Sequence, residues 1–244
     1  MRNLWTIAKR EFLHYFVSPV AYAVAFAFLL VIGLIFYNQF ALAILQGGSP
    51  QAVQWVLGPF TTLLLFLTPA VTMRLISEEQ KSGTIELLLT APLREWELVV
   101  GKWLASFAFM ALIVFVTAIY IVIVNNFVQP KFDAVEILVT YIGALAMTGS
   151  LLAIGVFASS LFSNQIAAFF ATMAVTLGLW LIGLPFQNDT GALAQVMNYL
   201  GFSSHFYDNL FRGVLDGADL IYFVSLIVFF LFIAARMIES RRWR

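Results

Sequence analysis

The feature that most constrains this chain is where its ionisable residues are missing. Asp, Glu, Lys and Arg are absent from 12–73, 103–130, 137–188 and 220–235. A helix needs about 20 mostly apolar residues to cross ~30 Å of hydrocarbon, and these tracts hold one or two such crossings each. Charged residues make up 11% of the chain and hydrophobic ones 62%, whereas an ordinary soluble domain carries roughly 25% charged residues. Mean hydropathy is +0.94. So little charge excludes a soluble or a disordered chain, and the lack of cysteine excludes a disulfide scaffold. The runs are too continuously apolar for barrel strands with a polar lumen face, so they must be helices. The fold class is an all-α polytopic membrane protein.

Polar breaks divide two of the tracts. Gln46-Gly47-Gly48-Ser49-Pro50-Gln51 splits the first, and Ser159-Ser160 with Ser163-Asn164-Gln165 splits the third. Six spans are expected, near 20–40, 57–75, 103–124, 137–161, 166–185 and 218–236, within one transmembrane domain covering 1–244. Pro69 should kink the second. The last is short, and Arg236 is expected to snorkel at its end. Formal net charge is zero, but its distribution is uneven. With six spans both termini share a side. That side holds 11 Lys and Arg and 7 acids, while the other holds 2 and 6. The positive-inside rule then puts both termini in the cytoplasm. The opening MRNLWTIAKREF has no uninterrupted apolar core or small-residue cleavage site, so the first span is expected to act as an uncleaved insertion signal.

Three segments outside the spans carry pattern. In 3–17, Leu4, Ile7, Ala8, Phe12, Tyr15 and Phe16 recur at helical spacing, with Lys9, Arg10 and His14 largely elsewhere. This predicts an amphipathic helix over 1–19 along the cytoplasmic membrane surface, ending at a Ser18-Pro19 turn. It is either a plain interfacial anchor or also a docking surface. Segment 76–101 belongs to a stretch, 74–102, that holds nine charges. Ser77 can cap a short helix with Glu78 and Glu79 in its first turn. Ser82-Gly83 breaks it, Thr84 can cap a second helix over 85–89, and Pro92 begins a third that carries Glu95, Glu97 and Lys102 into the next span. The result is a helix–break–helix elbow. Its charges could simply maintain topology, but Ile85, Leu87, Leu88 and Leu89 must be buried against the chain itself or a partner. Segment 187–217 predicts short re-entrant or interfacial helices on the outer side, with Ser203-Ser204 as a cap, or a surface flap of no function.

Several chemistries are missing. The two histidines, His14 and His205, fall on opposite sides of the membrane, so no common metal-ligand set is available. No phosphate-binding G-x-x-x-x-G-K-[ST] loop occurs. Away from their ends the expected spans contain no ionisable residue, which argues against a proton- or sodium-coupled transporter. His205 with Asp208 is the one local pair from which an outer-face hydrolase could be imagined. Thr61, Thr68, Thr72, Thr172 and Thr176 lie within spans, where threonines either pack helices or line a pathway.

Three stretches bring a resemblance: AKREFLHYFVSPVAYAVAFAFLLVIG, LTPAVTMRLISEEQKSGTIELLLTAPLREWELVVGKW and FSSHFYDNLFRGVLDGADLIYF. The chain resembles the ABC-2-type membrane permeases of bacterial ABC transporters, most closely the branch that includes the gliding-motility permease. Glu79, Gly83, Thr84, Glu86, Leu88, Pro92, Gly101 and Lys102 stand at family positions.

The resemblance implies a permease subunit, without catalysis of its own, in the bacterial cytoplasmic membrane. It implies that Glu78, Glu79, Gly83, Thr84, Ile85, Glu86, Leu88 and Pro92 dock a cytoplasmic ATPase, together with Lys9, Arg10 and Glu11. Two ATPase copies and a second permease chain, most simply an identical one, complete the assembly. ATP and Mg would be bound by the ATPase and no cofactor by this chain, and no nucleic acid is expected as a partner. Export is the expected direction. Spans two and five, with the five threonines, would line the route, and Asn198, Tyr199 and His205 would belong to an outer lid. A non-transporting scaffold that transmits force within an envelope machine is the competing reading.

Overall fold

The computed structural model describes residues 2–46, 52–86, 93–127, 131–186 and 191–241. Leu87, Leu88, Leu89 and Pro92 lie outside them. Ten α-helices occur among the described residues: α1 (Arg2–Val17), α2 (Pro19–Gln46), α3 (Ala52–Thr72), α4 (Ser77–Ser82), α5 (Glu95–Asn125), α6 (Ala134–Leu161), α7 (Gln165–Leu181), α8 (Ala192–Leu200), α9 (Phe202–Tyr207) and α10 (Gly217–Arg241). Six are long and apolar enough to cross a membrane, the second of these spans running on through α4 to Ser82. The chain is a multi-pass membrane protein.

The observed helices run past the expected spans. α3 begins at Ala52 rather than near 57 and α5 at Glu95 rather than near 103. α10 continues to Arg241, so the last span is not short. Arg236 pairs with Glu239 at 2.7 Å and lies 5.2 Å over the Phe232 ring. Asp133 caps α6 by accepting from the Val135 N–H, and Asn164 caps α7 by accepting from the Ile166 N–H.

α6 is the central span and the most buried, while α2 and α7 are the least. Its sequence explains its place. Small residues recur through GALAMTGSLLAIGVFASS and let neighbours approach closely, the usual basis of helix packing in lipid. A Cβ added at Gly155 would lie 2.1 Å from Thr72 Oγ1, so α3 and α6 can meet there only because no side chain intervenes. Buried hydroxyls on α6 bond back to its own carbonyls, as Thr148 does to Ala144 and Ser150 to Met147. Polar groups are thereby satisfied without a charge.

Two apolar clusters divide the molecule. The larger runs through the bundle and includes Phe202, Phe206 and Leu210 from the short helices before α10. The smaller joins Ile7 of α1, Leu75, Ile76 and Ile85 of the elbow, Leu98 and Val99 of α5, and Ala234 and Ile238 of α10. The elbow and both terminal helices therefore meet at one end of the bundle.

Candidate functional site

The elbow end is built around one buried ammonium. Lys102 is 2% exposed. Its Nζ lies 2.8 Å from Glu79 Oε1 and 3.4 Å from Glu11 Oε1, and Arg10 bonds the same Glu11 oxygen at 2.9 Å. Arg10, Glu11, Lys102 and Glu79 form a neutral chain of two cations and two carboxylates that links α1, α5 and α4. Burial pushes the Glu11 carboxyl up, but Lys102 and Arg10 outweigh it and hold it below its ordinary value. Burial, reinforced by the charge on Glu11, pushes the Tyr15 phenol above its ordinary value. The Tyr15 hydroxyl and Glu79 Oε2 are buried without a hydrogen-bond partner among the described residues.

α1 can reach Lys102 because of Gly101. A Cβ there would lie 2.9 Å from Ile7 Cγ2 and 3.2 Å from the Leu4 carbonyl oxygen. Ile7 and Ala8 are buried and Tyr15 stacks on Phe109 at 4.6 Å, so α1 packs on α5 as well as presenting Trp5, Leu13 and Val17 outward. It is more than a surface anchor. Lys9 and Arg10 are exposed, whereas Glu11 is turned inward. The Ser18-Pro19 turn forms as expected, with α2 opening at Pro19 and the Ala21 N–H donating to the Ser18 carbonyl.

The elbow departs from its expected caps. Ser77 does not cap α4, because its hydroxyl donates back to the Met73 carbonyl. Ser159 of α6 takes that role, accepting from the Ile76 and Ser77 N–H groups at 3.0 Å each. Gln80 adds a bond to the Ser160 carbonyl at 2.8 Å. Gly83 ends α4 with φ at +73°, a left-handed C-cap that favours glycine. Residues 84–86 form a helical turn, and the Thr84 hydroxyl sits 2.9 Å from Ser82 Oγ, bridging the break rather than capping a helix. Among the described residues the next helix starts at Glu95. Its cap is Arg94, whose N–H donates to the Glu97 carboxylate at 3.2 Å.

These contacts sort the expected docking residues. Glu78, Gly83, Thr84 and Glu86 are exposed, Ile85 is buried in the chain's own smaller cluster, and Glu79 is held by Lys102. The pathway threonines are sealed: Thr61, Thr68, Thr72, Thr172 and Thr176 have no exposed surface. Thr68, Thr72, Thr172 and Thr176 bond carbonyls one turn back. Thr61 bonds the Gly58 carbonyl and lies 2.8 Å from the Tyr207 hydroxyl. In this conformation they pack helices and line no open route.

At the opposite end, His205 does not pair with Asp208, which is exposed. Its Nδ1 lies 2.7 Å from Asp219 Oδ1, its Nε2 meets the Tyr199 carbonyl at 2.8 Å, and its ring stacks on Tyr222 at 3.9 Å. Asn209 donates to the second Asp219 oxygen at 2.9 Å. This cluster fastens the short helices to α10, and the hydrolase reading loses its pair. Ser204 bonds the Asn198 and Gly201 carbonyls and so is no cap, since α9 opens at Phe202. Asn198 is tied to the Phe186 carbonyl, and Tyr199 stays exposed.

The profile of the ABC-2 family transporter proteins matches residues 5–238. The chain belongs to that family. This makes it a membrane-embedded, non-catalytic ABC-2-type permease subunit, and no group of three or more metal-ligating residues occurs among the described residues. A search of curated proteins gave no match.

The sequence reading missed Lys102 as the hub. It also took the spans to be free of ionisable residues, but α5 carries buried Glu97 and Lys102 near its start, and α10 carries buried Asp219. The available signal was a lysine placed where a charged segment meets a long apolar tract. Such a lysine either snorkels or is paired, and its partners are too distant in sequence to be read from periodicity.

Proposed function

We propose that this ABC-2 permease subunit is driven by a separate cytoplasmic ATPase that docks on the elbow and on α1. The observation that carries the reading is an exposed tip on a fixed base. Glu78, Lys81, Gly83, Thr84 and Glu86 face outward, while Ser159, Gln80 and the Lys102 chain bind the elbow to α6, α5 and α1. A push on the tip would therefore reach the central span as a rigid-body displacement. It can shift the bundle only if the ATPase contacts differ between two states.

The finer reading places the elbow and both termini in the cytoplasm of a bacterium and the short helices outside as a lid. It pairs two identical permease chains with two ATPases, makes export the direction, and sets the chain in the gliding-motility branch. Charge asymmetry supports the orientation, and the sequence resemblance supports the stoichiometry, the direction and the branch. The test is affinity purification of the full chain from its own membranes. A nucleotide-binding subunit is expected to copurify, and Gly83→Pro or Glu86→Arg to release it without loss of the folded permease. Retention of the complex and of stimulated ATP hydrolysis in both variants would overturn the docking assignment.

A further inference from the structure

Beside the Lys102 chain lies a cavity of about 450 Å³ between α1, the start of α2, the end of α3, α4 and α5. Its size falls in the range of small-ligand sites, about 300–1,000 Å³. The cavity is two-faced. Val24, Val71 and Phe109 line one part, and Arg74 and Glu78 line the other together with the ion chain. The ion chain is neutral and internally paired. Arg74 and Glu78 are different. Both are exposed, and neither side chain makes a hydrogen bond or ion pair with the described residues. The Tyr15 hydroxyl, also without a partner among the described residues, belongs to the same wall.

A free guanidinium and a free carboxylate one helical turn apart, next to an apolar wall at the end of a membrane bundle, suit a zwitterion with acyl chains. An anionic headgroup would satisfy Arg74 and be repelled by Glu78, and a cationic amphiphile would meet the reverse. We propose that this cavity binds the head and glycerol end of a phospholipid bearing a primary amine, phosphatidylethanolamine. Its phosphate lies toward Arg74, its ammonium toward Glu78, and its chains leave along Val24, Val71 and Phe109. The primary amine matters because it donates hydrogen bonds to a carboxylate, which the trimethylated amine of phosphatidylcholine cannot do. Glu78 is also among the residues offered to the ATPase, so the lipid is tested on the permease chain by itself, where failure of the docking reading leaves the result unchanged.

The experiment is native mass spectrometry of the full chain released from nanodiscs with equal parts phosphatidylethanolamine, phosphatidylcholine and phosphatidylglycerol. Retained phosphatidylethanolamine is expected to exceed phosphatidylcholine by about tenfold, the worth of one charge-assisted hydrogen bond. Arg74→Gln combined with Glu78→Gln should abolish that preference while the helical circular dichroism stays unchanged, since both side chains are exposed. Val24→Phe, which fills the apolar part, should reduce retention of the lipid without touching a charge. Equal retention of the ethanolamine and choline lipids, or a preference for phosphatidylglycerol, would overturn the proposal. So would a preference that survives the double variant, or lipid retention that Val24→Phe leaves unchanged.

Discussion

Replacing Lys102 by Met removes one charge from the centre of the elbow and keeps most of the side-chain volume. The ammonium is 2% exposed and sits 2.8 Å and 3.4 Å from two carboxylate oxygens whose side chains are 17% and 18% exposed. At an effective dielectric of about 20, each attraction is on the order of 5 kcal/mol before desolvation is counted. Desolvation offsets much of that, so the informative quantity is the cost of leaving charge unpaired, about 3–5 kcal/mol when one partner of a buried pair is removed. Lys102→Met turns a neutral four-residue chain into one with a net negative charge, and Glu79 loses its ion-pair partner. At about 2–4 °C per kcal/mol for a chain of this size, the unfolding midpoint in nanodiscs should drop by roughly 10 °C. The triple variant Lys102→Met, Glu11→Gln, Glu79→Gln removes the uncompensated carboxylate charges too and should recover most of the loss, because that loss is mainly the cost of a buried charge left without its partner. Scanning fluorimetry of the three proteins provides the comparison. A single variant as stable as wild type, or a triple variant no better than the single, would refute the view that the ion chain holds the elbow.

Acid should act on the same cluster. The Glu11 carboxyl is held below its ordinary value of 4.5, so its contribution is full above that value and is lost as pH falls through the depressed one. The wild-type midpoint should therefore fall on acidification below about pH 4.5, and the gap to Lys102→Met should narrow, as read by the same scan across pH. Gly155→Ala would place a methyl group 2.1 Å from Thr72 Oγ1 and should cost about 1–3 kcal/mol through overpacking, with Gly155→Ala/Thr72→Ala partly restored. Ser159→Ala strips the acceptor from two buried N–H groups and should cost about 1–3 kcal/mol, with faster hydrogen exchange at Ile76 and Ser77. His205→Ala leaves the buried Asp219 without its nearest partner and should lower stability by about 3 kcal/mol, with proteolysis of 192–212 increased.

Spans were legible because lipid demands them: an apolar tract of the right length has no other stable solution. Pro19 was legible as the start of α2 because its effect acts within a few residues, whereas the caps Asp133 and Asn164, which begin α6 and α7, form no part of the sequence expectation. Ser77 misled for the opposite reason. A serine before two glutamates is a good local cap, but Ser159 from a distant helix supplies the acceptor, and local chemistry cannot rank a tertiary competitor. Lys102 with Glu11 and Glu79 was hidden in the same way, as was His205 with Asp219. The threonine rows fit packing first and a pathway second, and burial is what speaks for packing in this structure. Gly83 was read correctly as a break because a positive φ is a property of the residue itself.

The central claim is that the elbow tip, and not the opposite end, meets the ATPase. The chain has no cysteine, so single-cysteine cross-linking reports one site at a time. Thr84→Cys and Val214→Cys are both exposed, the first on the elbow tip and the second among the residues that lead into α10 at the other end. In native membranes, Thr84→Cys is expected to cross-link to a nucleotide-binding subunit with a yield that changes on ATP addition, and Val214→Cys to give none. Cross-linking of that subunit through Val214→Cys, or its absence at Thr84→Cys in a folded permease, would contradict the account.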